Sequence, residues 1–166
     1  MKKVLLFLSL MCCCFALLGC QNTIKGTDAL IGKAREVIPV SDAETIDLEY
    51  VGMIANNEYA LIWFVSGNEF QSHYYLPMEC KIVGKDEYTF ERIYEPMDRG
   101  QDIVVLEWLN GYAFLVNNPK CKTVRVVDNN GTRDYVIEKD VYPFIFYNSQ
   151  IPSKYVFLDE IGNEIK

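Results

Sequence analysis

From about Ile46 to the C-terminus, the apolar positions fall in short runs rich in Val, Ile, Tyr, Phe and Trp, separated by Gly, Asn, Asp and Pro. This rhythm predicts strands near 46–54, 58–65, 69–76, 80–84, 88–94, 102–109, 112–117, 122–128, 132–138, 143–147 and 154–159. Tyr59 to Val65 is apolar throughout, and Ile103 to Leu109 is apolar except for Glu107. Unbroken runs of this length suit central strands covered on both faces. Other segments alternate. Within 132–138, Arg133, Tyr135 and Ile137 share one face, while Thr132, Asp134, Val136 and Glu138 share the other. Phe144 and Phe146 likewise oppose Ile145 and Tyr147.

The turn chemistry predicts hairpins. Asn110-Gly111 offers two residues that tolerate positive φ, as a type I′ turn requires. A two-residue loop there pairs Leu109 with Tyr112, Trp108 with Ala113, Leu106 with Leu115 and Val105 with Val116. Asp128-Asn129-Asn130-Gly131 is a longer turn of similar character, and Ser66-Gly67-Asn68 and Ile161-Gly162-Asn163 are weaker signals. No long helical period follows residue 45. Short strands with tight turns predict an all-β fold, an antiparallel β-sandwich, with a β-barrel as the alternative. The strand rhythm of the C-terminal half loosely resembles immunoglobulin-like modules of bacterial surfaces, a likeness that carries no functional residues.

The N-terminus reads differently. Met1-Lys2-Lys3 is basic, and Val4 to Leu18 is apolar except for Ser9. The apolar stretch is short of the ~20 residues of a membrane span but suits a signal-peptide core. It ends in Leu17-Leu18-Gly19-Cys20, followed by the polar Gln21-Asn22-Thr23. Leu17-Leu18-Gly19-Cys20 resembles the lipobox of bacterial lipoproteins. That resemblance implies a diacylglyceryl group on the Cys20 sulfur, cleavage between Gly19 and Cys20, and export. Two acyl chains are what stable anchoring requires. The other readings are an ordinary signal peptide or an uncleaved N-terminal helix. The expected organisation is therefore a signal peptide over 1–19, a lipid-anchored tether over 20–45 and a β-sandwich domain over 46–166. Within the tether, Thr27-Asp28 predicts the start of a short helix through Val37, with Ala29, Leu30, Ala34 and Val37 apolar and Pro39 as its stop.

Charge narrows the partners. The chain carries 16 Lys and Arg against 23 Asp and Glu, a formal net charge of −7. Removing Lys2 and Lys3 with the leader leaves 14 basic residues, so the mature chain stands at −9. Such a domain repels phosphate backbones, so no nucleic-acid partner is expected.

Signals for catalysis and cofactors are sparse. The single histidine, His73, sits in Gln71-Ser72-His73-Tyr74-Tyr75 and reads as a surface or rim residue. One histidine does not make a His-rich metal site. Asp128 to Asp134 superficially resembles a calcium loop but lacks a third acid at the required spacing and the later bidentate Glu. Neither metal nor cofactor is expected, and no catalytic residue is assigned. The acidic pairs Asp86-Glu87 and Asp159-Glu160 read as solvated surface. The dense aromatics read as core packing, or else as a binding face for sugar or protein.

Of six cysteines, Cys12, Cys13 and Cys14 leave with the leader and Cys20 takes the lipid. Cys80 and Cys121 remain in an exported domain, where a disulfide between them is expected, the alternative being two unpaired thiols packed as small apolar residues. The functional expectation is a membrane-anchored extracytoplasmic domain, non-catalytic, that binds a protein or an envelope polymer. Its membrane is the cell membrane, or the outer membrane in a two-membrane cell. Alternatives are an inhibitor or immunity-type protein acting on an envelope hydrolase, and an envelope hydrolase itself.

Overall fold

The computed structural model describes residues 23–39, 46–67, 74–98 and 102–165. Gly19, Cys20, His73 and positions 69–73 of the strand expected at 69–76 lie outside the described residues. The fold is all-β and antiparallel, with a single helix among the described residues.

The first sheet has six strands. They are β1 (Ile24–Lys25), β2 (Leu48–Ala55), β3 (Tyr59–Ser66), β4 (Tyr74–Gly84), β5 (Glu87–Ile93) and β6 (Met97–Asp98). The order across the sheet is β1-β5-β4-β3-β2, with β6 extending along β4 beyond β5. The second sheet has the order β11-β8-β7, from β7 (Ile103–Trp108), β8 (Gly111–Val116) and β11 (Phe144–Asn148). The third has the order β10-β9-β12, from β9 (Thr123–Asp128), β10 (Gly131–Val136) and β12 (Lys154–Leu158).

Alternation along the strands stacks these sheets. On β3, Ala60, Ile62 and Phe64 enter one core with the helix α1 (Thr27–Val37). Leu61 and Trp63 enter a second core against Val104, Trp108, Ala113 and Leu115 of the second sheet. The opposite face of that sheet supplies Phe114, Val116 and Phe146 to a third core with Val124 and Val126 of the third sheet. The succession is α1, first sheet, second sheet, third sheet. This explains the unbroken apolar run from Tyr59 to Val65 on β3, since both faces of the strand are covered. In the second sheet the central strand is β8, buried from Ala113 to Val116. The run Ile103–Trp108 is an edge strand, apolar because both faces of its sheet are covered.

Several expectations change. The strands expected at 69–76 and 80–84 form one strand, Tyr74–Gly84, because Pro77 stands where it continues the pairing with Trp63 on β3. The helix forms over the expected Thr27–Val37, but Gly26 occupies the cap position and no side chain caps it. Asp28 instead lies in the first turn, where it favours the helix dipole.

Residues 24–38 are not a tether. Leu30 and Ala34 are fully buried, Ile38 nearly so, and β1 pairs with β5 through Ile24↔Tyr88 and Lys25↔Glu87. A domain boundary at residue 46 would cut through the first core. Each buried side chain as large as Leu30 contributes about 1.5–3 kcal/mol relative to exposure.

The β7–β8 register is also corrected. Trp108 pairs with Gly111, Leu106 with Ala113 and Val105 with Phe114, so the two-residue loop is Leu109-Asn110. Leu109 carries the positive φ, 52°. The partners slide by two residues and every side chain keeps its face.

Cys80 and Cys121 are unbonded thiols, both buried. Cys80 packs in the first core and Cys121 in the third, with the second sheet between these cores. The expected bridge does not form. The alternative reading, two thiols packed as small apolar residues, describes them.

Candidate functional site

Three polar or exposed features stand out against the cores. The first is a carboxylate between sheets. Glu79 lies on β4 in a run otherwise apolar from Tyr74 to Cys80, and only 6 % of it is exposed. Its Oε2 accepts hydrogen bonds from Trp108 Nε1 at 2.7 Å, Tyr94 Oη at 2.9 Å and Arg92 at 3.1 Å. Trp108 belongs to the second sheet, whereas Arg92 lies on β5 of the first and Tyr94 just past its end, so the carboxylate pins one sheet to the other. The Arg92 guanidinium lies 4.7 Å from the Tyr94 ring centroid. Burial, and then the bond to Glu79, hold the Tyr94 phenol above its ordinary pKa. Nothing in the periodicity marked Glu79. Its signal was a lone charge in an apolar run, which demands a buried partner.

A second network surrounds Asn148, 1 % exposed, at the end of β11. Its Oδ1 accepts from Tyr135 Oη at 3.1 Å, and its Nδ2 donates to the Gln150 carbonyl at 2.7 Å and to Asp128 Oδ2 at 3.3 Å. Asp128 Oδ1 also accepts from the Asn130 amide at 2.8 Å. The segment that resembled a calcium loop is thus a capped hairpin turn. Among the described residues, no group of three His, Cys, Asp or Glu is placed to hold a metal.

The third feature is the outer face of the third sheet. The register sets three rows across it: Leu158–Thr123–Val136, Val156–Arg125–Asp134 and Lys154–Val127–Thr132. Arg125 and Asp134 form a two-pronged ion pair at its centre, Nε to Oδ1 at 2.7 Å and a terminal nitrogen to Oδ2 at 2.8 Å. The guanidinium holds the Asp134 carboxyl below its ordinary pKa. Val136 is 67 % exposed, on a strand where only Tyr135 is half-buried. Both faces of the second sheet and both faces of the first contribute to cores. Among the described residues, this outer face is the sheet surface that no core covers.

The aromatics point elsewhere. Phe114 stacks on Phe146 at 4.7 Å between centroids, Tyr135 stacks on Phe146 at 4.1 Å, and Trp108 meets Tyr147 edge-on at 4.9 Å. They are mainly core. The acidic pairs are also structural at their turns. Asp86 takes φ 55° in the β4–β5 turn, and Glu87 accepts from Lys25 at 2.8 Å. Asp159 Oδ1 accepts from the Ile161 and Asn163 amides, which lowers its pKa. Asp159 and Glu160 also line an open cleft of about 320 Å³ opposite Lys120 and Lys122. Lys122 is engaged there with the Tyr142 hydroxyl at 3.3 Å. Comparison of the chain with protein-family models, with curated proteins and with solved structures gives no match.

Proposed function

We propose that the protein is a lipid-anchored extracytoplasmic lipoprotein whose domain binds a protein partner through the outer face of its third sheet. The anchor reading stands on Leu17-Leu18-Gly19-Cys20 behind an apolar leader. The observation that carries the binding reading is the uncovered face around Arg125 and Asp134.

Its chemistry favours protein over polysaccharide. Sugar rings are gripped by exposed aromatic faces, whereas this surface presents Val127, Val136, Val156 and Leu158 around an ion pair. A partner needs an apolar patch with polar groups that meet Arg125 and Asp134.

Two measurements test the reading. Cys20→Ser should abolish incorporation of labelled lipid and block processing before residue 20; normal labelling of the variant would refute the anchor. A photo-crosslinking residue at position 136 or 156, in living cells, should give adducts that protease removes. Adducts removed only by glycan-degrading enzymes would move the reading to an envelope polymer. Adducts at position 49 but not at 136 or 156 would refute this face.

A further inference from the structure

We infer that the corner formed by β1, the Lys85-Asp86 turn and the start of α1 lies against lipid headgroups, with the third sheet held away from the bilayer. The inference rests on the anchor proposed above and adds the orientation that the anchor imposes.

The carrying observation is how soon the fold begins. Ile24 already pairs with Tyr88, and Lys25 with Glu87. Only three residues, Gln21, Asn22 and Thr23, separate Cys20 from Ile24, a span of four chain steps. A fully extended chain spans at most ~3.3–3.6 Å per residue, so β1 starts within roughly 14 Å of the lipidated sulfur. The headgroup layer consumes roughly 5–8 Å of that reach, taken as half the difference between whole-bilayer and hydrocarbon thickness. The domain is thus mounted close to the surface by one edge. β1 is the terminal strand of its sheet and lies beside the β4–β5 turn, so that turn and the start of α1 at Thr27 share its proximity.

Two further features fix which parts stand off. The second core draws on Val51, Leu61, Trp63, Tyr75 and Met97, residues of β2, β3, the far end of β4 and β6. Tyr94, just past the end of β5, also enters this core, but no residue of β1 or of the Glu87–Phe90 half of β5 beside it does, so the second and third sheets stack away from the anchored corner. Two layer spacings of ~10 Å set the third sheet roughly 20 Å from the first. Charge acts in the same direction. The corner carries Lys25 and Lys85 against Asp28, Asp86 and Glu87, a near balance, with Lys25 and Glu87 already paired at 2.8 Å. From Cys20 onward the whole chain carries 14 basic and 23 acidic residues. An anionic leaflet repels that acidic remainder more than it repels the corner. The proposed binding face therefore points outward, where an extracytoplasmic protein can reach it.

The test uses the full-length protein in its native membrane, with a photo-crosslinking amino acid at position 85 or at position 130. Both positions lie in exposed turns. Mass spectrometry of the N-terminal peptide first establishes whether Cys20 carries lipid; its absence would refute the anchor and this inference with it. With lipid present, position 85 should give several-fold more lipid adducts than position 130. A flexible insert of some twenty Gly and Ser residues between Gln21 and Asn22 should erase most of that difference while leaving the lipid on Cys20, because reach grows with chain length. Equal adducts from 85 and 130 in the lipidated protein, or a difference that the insert leaves unchanged, would overturn the orientation and leave the anchor standing.

Discussion

Gly111 is where the structure makes its sharpest demand on a single residue. It opens β8 opposite Trp108, and it is not among the residues with positive φ. A Cβ placed on it would meet the Asn148 carbonyl oxygen at 1.9 Å and the carbonyl carbons of Asn148 and Ser149 at 2.9 Å. Those are backbone atoms of the neighbouring strand end, which no rotamer change can move. Gly→Ala ordinarily stabilises by about 0.4–1 kcal/mol through the unfolded chain. Here the strand must shift by more than an ångström, with an overpacking cost of about 1–3 kcal/mol. The shift also strains the Asn148 network, whose bonds to Tyr135, Gln150 and Asp128 contribute about 0.5–1.5 kcal/mol each. Gly111→Ala should therefore destabilise by about 3 kcal/mol net, read from urea unfolding followed by tryptophan fluorescence.

Two companion variants isolate the cause. Gly131 takes φ 111° with nothing within 4 Å of its Cβ direction, so Gly131→Ala should cost only the backbone strain, about 1–2 kcal/mol. Asn tolerates positive φ, so Gly111→Asn would be mild if the turn centred on Asn110-Gly111, and as harmful as Ala if close approach is the reason. Gly111→Ala within about 0.5 kcal/mol of the parent, or Gly111→Asn clearly milder than Gly111→Ala, would refute the observed register.

The inter-sheet carboxylate and the thiols give two more expectations. Glu79→Ala leaves the Trp108 and Tyr94 donors without their acceptor and should cost about 3 kcal/mol, whereas Arg92→Ala, whose side chain is 55 % exposed, should cost less than about 1 kcal/mol in the same unfolding assay. Similar losses from both would count against the pin. Burial pushes the Cys80 thiol up to about 12 and raises Cys121 as well, so at pH 8 both are overwhelmingly protonated and shielded in the folded protein. A thiol reagent should find almost nothing before unfolding and two equivalents afterwards without reductant; fewer than two would mean a bridge.

The pattern of the chain by itself determined that short strands dominate the described residues between Leu48 and Leu158, which residues share a face, and that Thr27–Val37 is helical. These are local consequences of a period of two in strands and a longer period in the helix. Phe144 and Phe146 do oppose Ile145 and Tyr147, in the third and second cores respectively. Partners were another matter. A hairpin shifted by two residues keeps every face, so alternation could not distinguish a loop at Asn110-Gly111 from one at Leu109-Asn110. What decided it was the approach of Asn148, a residue far along the chain. The helix likewise looked like part of a tether until β1 and the first core claimed it, because its apolar stripe says that it packs but not on what. Cys80 and Cys121 are both buried among apolar side chains, and only the stacking order puts the second sheet between their cores. Glu79 shows the same division. It went unmarked in the sequence pattern, and only the docking of the second sheet onto the first brought Trp108 within 2.7 Å to pair with the buried carboxylate.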